Sequence, residues 1–174
     1  MSDRHYCIQK LKDSIKNQSI ETIANINQQY DDYDALMLAF QYTEDINVIQ
    51  YFYNTFKNAI DINRQYNSCQ AIFMTATKYN KNVAVIQYLC DTFNDAIDIT
   101  KQNHDGNTAL MLAAAHNTNA TVIQHLCNTF KDTININQQN KYGYTALMLA
   151  ANYNTNVAVI QYLYDTFNDK INLN

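Results

Sequence analysis

Residues 141–167 read KYGYTALMLAANYNTNVAVIQYLYDTF, and most of the remaining chain repeats this stretch. Thirty-seven residues upstream, 104–130 read HDGNTALMLAAAHNTNATVIQHLCNTF, and one step further 67–93 read NSCQAIFMTATKYNKNVAVIQYLCDTF. A third step, one residue shorter in the turn, gives YDALMLAFQYTEDINVIQYFYNTF at 33–56. Gln50, Gln87, Gln124 and Gln161 keep the register, as do Met37, Met74, Met111 and Met148. Ala39, Ala76, Ala113 and Ala150 share it, with Phe56, Phe93, Phe130 and Phe167. A fixed period of this size marks a stacked array, because one such unit cannot bury its apolar face alone.

The chain has 174 residues, enough for one short array. Hydrophobic residues make up 47%, so a core is available, whereas charged residues are only 16%, below the roughly 25% of soluble domains. Asn, Gln, Tyr and Thr supply the polar surface instead. A formal net charge of -4 without a Lys/Arg cluster argues against nucleic acid as partner. No run of about 18 apolar residues exists to span a bilayer, and MSDRHYCIQKLKDS at the N-terminus lacks the apolar segment of a signal peptide. Cys7, Cys69, Cys90 and Cys127 show no metal-ligand spacing. Cys90 and Cys127 are in phase, and helices stacked roughly 8–10 Å apart hold them beyond disulfide reach. They read as buried thiols of a reducing compartment.

Each copy of the period follows one order. An Ile-x-Ile-Asn type segment (60–63, 97–100, 134–137) is expected to be extended, and a turn follows it. The two glycines of the chain, Gly106 and Gly143, fall in that turn, where positive φ is wanted, and Cys69 takes the place in the copy before. Thr108 and Thr145 are N-caps for a first helix whose apolar face includes Leu147, Ala150 and Ala151. Asp45, Asn82, Asn119 and Asn156 are N-caps for a second helix that buries Val159, Ile160, Leu163 and Phe167 and leaves Gln161 outside. The chain has no proline to interrupt either helix.

These residues resemble the ankyrin repeat. Asn140 to Ala151 fits the pattern D-x-x-G-x-T-P-L-H-x-A-A, Asn103 to Ala114 fits it equally, and Asp61-Ile62-Asn63 matches the D-V-N that enters the hairpin. The resemblance covers residues 25 to 174 and implies an all-α ankyrin-repeat solenoid of helix-turn-helix repeats with β-turn or hairpin fingers. It divides the chain into an N-terminal helical cap at 1–24 and repeats at 25–60, 61–97, 98–134 and 135–171. Residues 172–174 then open a truncated fifth repeat, with no polar C-terminal cap, so a fragment of a longer protein is expected. There are three departures. Ala109 and Ala146 replace the usual Pro. Met111 and Met148 replace the His that hydrogen-bonds between neighbouring repeats in the family. The period exceeds the family's 33 or so, with the extra residues assigned to the Asn-rich link and to the end of a lengthened second helix.

No catalytic, cofactor or metal constellation stands out. His125 is in phase with Tyr51, Tyr88 and Tyr162 and reads as a packing group, and no phosphate loop, nucleophile elbow or HExxH motif occurs. Asp31-Asp32 and Glu44-Asp45 lie in a turn and a link, as solvated or cap-forming acids. The methionine ladder reads as core filler at the repeat interface. Surface aromatics carry the functional reading. Tyr42, Tyr79, His116 and Tyr153 are in phase at the end of the first helix. The fingers add Tyr33, Tyr66, His104, Asp105, Lys141, Tyr142 and Tyr144. The resemblance places these positions on the concave, partner-facing side, and tyrosine anchors interfaces at low entropic cost.

The expected function is therefore binding of a partner protein on the concave face, without catalysis, cofactor or metal. The alternative is a targeting or scaffold arm of a larger effector or enzyme whose catalytic domain lies beyond residue 174. The Asn- and Ile-rich style is similar to ankyrin proteins of intracellular bacteria and large viruses. By that analogy the place is the cytoplasm, including a host's after secretion, and the partner a host protein. No membrane or nucleic acid is involved. The chain is expected to be a monomer or a weak dimer through its uncapped C-terminal repeat.

Overall fold

The computed structural model describes residues 37, 39–41, 43–56, 61–63, 65 and 71–171. The expected N-terminal cap at 1–24 lies outside them. The chain divides into two compact units, Met1–Ile60 and Asp61–Asn174. In the first unit, helix α1 spans Ile46–Phe56. It starts where the sequence places its cap, with Asn47 N donating to Asp45 Oδ1 at 2.9 Å. Its Val48 and Ile49 are buried, as are Ala39 and Phe40 of the same unit.

The second unit holds three helix pairs: α2 (Ile72–Tyr79) with α3 (Val83–Phe93), α4 (Ala109–His116) with α5 (Ala120–Thr129), and α6 (Ala146–Tyr153) with α7 (Val157–Phe167). Among the described residues there is no strand. The first helices form one row, α4 packing on both α2 and α6, and the second helices form another, α5 packing on both α3 and α7. The caps are as expected. Thr108 and Thr145 accept from the backbone N of Met111 and Met148, and Asn82, Asn119 and Asn156 accept from Ala84, Thr121 and Ala158.

Small residues set the spacing of the first row: Ala76, Ala113 and Ala150 are wholly buried. In the second row Val85, Val122 and Val159 are wholly buried, with Leu89, Leu126 and Leu163. Full burial of each such aliphatic side chain contributes about 1.5–3 kcal/mol. Among the described residues α4 has first helices packed on two sides and α6 on one, and the same sequence is less covered in α6. Met111 is 2% exposed but Met148 is 44% exposed. Ala151 is exposed, and Leu147 and Ile160 only half-buried, so the apolar face read from repeat 4 is only partly buried. Second helices of 10 or 11 residues contrast with first helices of 8, and 3-10 turns at Asn94–Ala96 and Asn168–Lys170 follow α3 and α7.

The link between the two helices of a pair reads Asn-x-Asn in all three pairs, and these side chains fasten the second pair to the first and the third to the second. Asn117 Nδ2 donates to the carbonyls of Thr77 at 2.9 Å and Asn80 at 2.8 Å, while its Oδ1 accepts from Asn119 N. Asn154 repeats the arrangement one step on, donating to Ala114 and Asn117. The acceptors are carbonyls at the C-terminal end of the preceding first helix, which lack partners within that helix. The second Asn of the link caps its own helix and also reaches back: Asn119 donates to Lys81 O and Asn156 to Thr118 O.

The fingers are turns, and the Ile-x-Ile-Asn segments are turns as well rather than extended strands. Asn103 Oδ1 accepts from the N–H groups of Asp105 and Asn107, and Gly106 N donates to Asn103 O. Asn140 does the same for Tyr142 and Tyr144. Adjacent fingers are joined by Lys141 N to Asp105 O at 3.0 Å and by Asn140 Nδ2 to Asn107 Oδ1 at 2.8 Å. At the finger base Asn63 donates to Ala96 O and Asn137 to Lys170 O. The in-phase Thr100 has no amide, and its hydroxyl turns instead to Asp98 of its own loop.

Two outcomes follow for stability. Asn117→Ala strands two buried carbonyls and is expected to lower unfolding free energy by about 2–4 kcal/mol, whereas Asn154→Ala, in a half-buried setting, costs about 1–2 kcal/mol. Urea titrations followed by circular dichroism check this, and equal small losses would remove the ladder from its assigned role. Gly106 and Gly143 both sit at φ +80°, so alanine at either costs about 1 kcal/mol. Gly106→Ala is expected to cost clearly more, because its Cβ would lie 2.7 Å from Lys141 N while that of Gly143 meets nothing within 4 Å.

Candidate functional site

The last residue of each first helix in the second unit is an aromatic ring: Tyr79, His116 and Tyr153. The phase of the repeat puts them on one line. Each follows a buried helix face and precedes the link, so its own ring is left at the surface, Tyr79 at 41% and Tyr153 at 59% exposure. The rings of His116 and Tyr153 stack, with centroids 6.4 Å apart and planes 26° from parallel, within the range for favourable aromatic pairs. The Lys78 ammonium lies 4.7 Å from the Tyr79 ring centroid.

Beside this row the third and fourth fingers enclose an open pocket of about 590 Å³. His116, Tyr142, Tyr144 and Tyr153 wall it, and Met111, Leu112, Ala115 and Leu149 supply apolar lining with Asn107 and Asn140. Four of the residues named from sequence thus converge on one site. The others do not. Tyr79 lies one repeat away, and Lys141 is exposed on its finger without lining the pocket. His104 and Asp105 face each other at 3.7 Å, largely exposed. Tyr33, Tyr42 and Tyr66 lie outside the described residues. Met111 belongs to the methionine ladder that reads as core filler, because the sequence does not show that a finger stands off from the helix behind it. Periodicity points to Asn107 and Asn140 only once the finger bond between them is known.

Burial pushes the thiols of Cys90 and Cys127 up to about 12, with Asp91 adding to the effect at Cys90. Both are free and protonated at neutral pH, hence poor nucleophiles. Among the described residues no group of three or more His, Cys, Asp or Glu side chains could hold a metal ion, and no helix is long and apolar enough to cross a membrane.

A family model described as ankyrin repeats, in three copies, matches residues 73–174. The chain belongs to the ankyrin-repeat family. No curated protein matches it significantly. Ankyrin repeats are generic protein–protein interaction modules. In this ankyrin array the Asn-x-Asn link does the inter-repeat hydrogen bonding for which Met111 and Met148 have no donor or strong acceptor. Met111 is buried and its sulfur accepts from Thr108 N, whereas Met148 is exposed.

His116 is held below the usual value of 6.5, first by burial and then by the positive charge of Lys78. With the folded value below the unfolded one, the unfolded chain takes the proton first as pH falls. The stability linked to this ring is complete above about pH 6.5 and is lost as pH falls through the lower folded value. Wild type is therefore expected to lose more of its urea midpoint between pH 7 and pH 5 than His116→Gln. An equal loss in both would show that the pocket wall tolerates the imidazolium.

Proposed function

We propose that this ankyrin array binds a partner protein on the face formed by its fingers and first helices, and that it performs no chemistry there. The observation that carries this reading is the convergence of His116, Tyr142, Tyr144 and Tyr153 on one pocket with an apolar floor. Tyr142 is 69% exposed at the rim. The backbone that carries these rings is fixed by the turn that Asn140 closes and by the end of α6. Their burial then costs little entropy. Tyr79 extends the same line by one repeat and adds a second contact point.

The test is a pull-down with the whole chain as bait beside a Tyr79→Ala/Tyr153→Ala variant whose circular dichroism and urea midpoint match wild type. Neither ring is buried, so the fold is expected to survive. A partner retained by wild type is expected to bind the variant at least about tenfold more weakly, the loss of one or two interface anchors. Unchanged affinity in the folded variant would move the binding face elsewhere on the array.

A further inference from the structure

Repeats 3 and 4 share a register, so their burial can be compared position by position. Leu110, Met111, Ala114 and Ile123 are all buried, whereas the in-phase Leu147 and Ile160 are half-buried and Met148 and Ala151 are exposed. The difference follows the packing. Helices α4 and α5 each have neighbours of their own row on two sides, and among the described residues α6 and α7 have one each. The loss of cover therefore marks the side of repeat 4 turned away from repeat 3. Met148, Ala151 and Asn152 follow one another along it at helical spacing on α6, as do Val157, Ile160 and Tyr164 on α7. Val157 is 71% exposed and Tyr164 49%. Helix α6 contains no charged residue and α7 only Asp165.

The polar groups of this side follow a pattern of their own. Inside the stack the carbonyls of Ala114, Asn117 and Thr118 accept from the link carboxamides of the following repeat. The in-phase carbonyls of Ala151, Asn154 and Thr155 accept from none of the described residues. Two changes then separate repeat 4 from repeat 3. Asn152 stands in phase with Ala115, and Tyr164 with Cys127. Both are exposed, and each brings a hydrogen-bond donor that its counterpart lacks or offers only weakly. In the internal interfaces the carbonyl acceptors lie on one repeat and the carboxamide donors on the next. The outer side of repeat 4 carries both, and a surface with both can pair with its own copy.

We propose that the outer side of repeat 4 joins two copies of this chain about a two-fold axis. The stripes of α6 and α7 cover those of the second copy, and Asn152 and Tyr164 of each copy donate to link carbonyls of the other. Three observations select a second copy as the occupant. The surface continues the interface by which α6 already packs on α4, a helix of nearly the same sequence. It is nearly free of charge, so it does not repel its own image. It also holds donors beside open acceptors, which a side built only to receive the next repeat's carboxamides does not need. Two-fold pairing uses the surface up, so assembly stops at two chains. This interface requires neither the pocket nor a partner protein.

Sedimentation velocity of the full chain over about 1 μM to 1 mM, the range of weak to moderate association, is the test. The mass is expected to rise from that of one chain to a plateau at two. The rise should persist in about 0.5 M salt, since no ion pair holds the surfaces together. Met148→Glu/Val157→Glu starts from two exposed side chains, so its circular dichroism and urea midpoint at the dilute end should match wild type. Its mass is expected to stay at one chain throughout. Asn152→Ala restores the residue of repeat 3 and is expected to raise the dissociation constant about tenfold, through one hydrogen bond lost from each copy. Association by apolar cover alone would be unchanged or tightened by that alanine, and either result would overturn the donor pairing that selects a second copy. A single-chain mass at every concentration, growth past two chains, or a dimer kept by Met148→Glu/Val157→Glu would overturn the interface itself.

Discussion

Everything in the described array depends on a carboxamide that reaches from one repeat to the last turn of the repeat before it. Asn117 and Asn154 satisfy helix-end carbonyls that otherwise have no partner, and their oxygens hold the start of the link that leads to the next helix. One side chain thus ends one helix, bridges two repeats and positions the cap of a third element. Apolar burial along Val85, Val122 and Val159 supplies the larger energy. The carboxamides fix the register at which that burial occurs, because a buried carbonyl left unpaired is costly.

The register in turn sets the candidate site. Because α4 and α6 are held one repeat apart, His116 and Tyr153 come into stacking contact. Because the fingers are joined through Lys141, Asp105, Asn140 and Asn107, they stand together above the first helices and leave the pocket between. The pocket is thus a gap that the ladder keeps open. Its walls come from rings that lie exposed rather than packed between the helices.

Much of this was legible from the residues. Capping is local, and Thr108, Thr145, Asn82, Asn119 and Asn156 could be read from their own neighbours. The phase of Tyr79, His116 and Tyr153 marked a surface line for the same reason. Features that depend on the neighbouring repeat were harder to read. Asn80, Asn117 and Asn154 read only as an Asn-rich link, since nothing in a single repeat says which carbonyls their amides meet. Met148 shares its local sequence with Met111, yet the two differ in burial, and among the described residues only Met111 stands on a helix flanked on both sides by first helices. The pocket floor combined both difficulties, being apolar and visible only after two fingers are placed over it.

The chemistry of the bridging group carries a last consequence. A carboxamide differs from a carboxylate by one hydrolytic step, and at Asn117 that step would replace two donors with an anion facing two carbonyl dipoles. The fold itself opposes the change by holding the side chain almost fully buried and engaging both ends of the amide. An array fastened this way is protected from slow amide loss while folded and open to it whenever a repeat peels away.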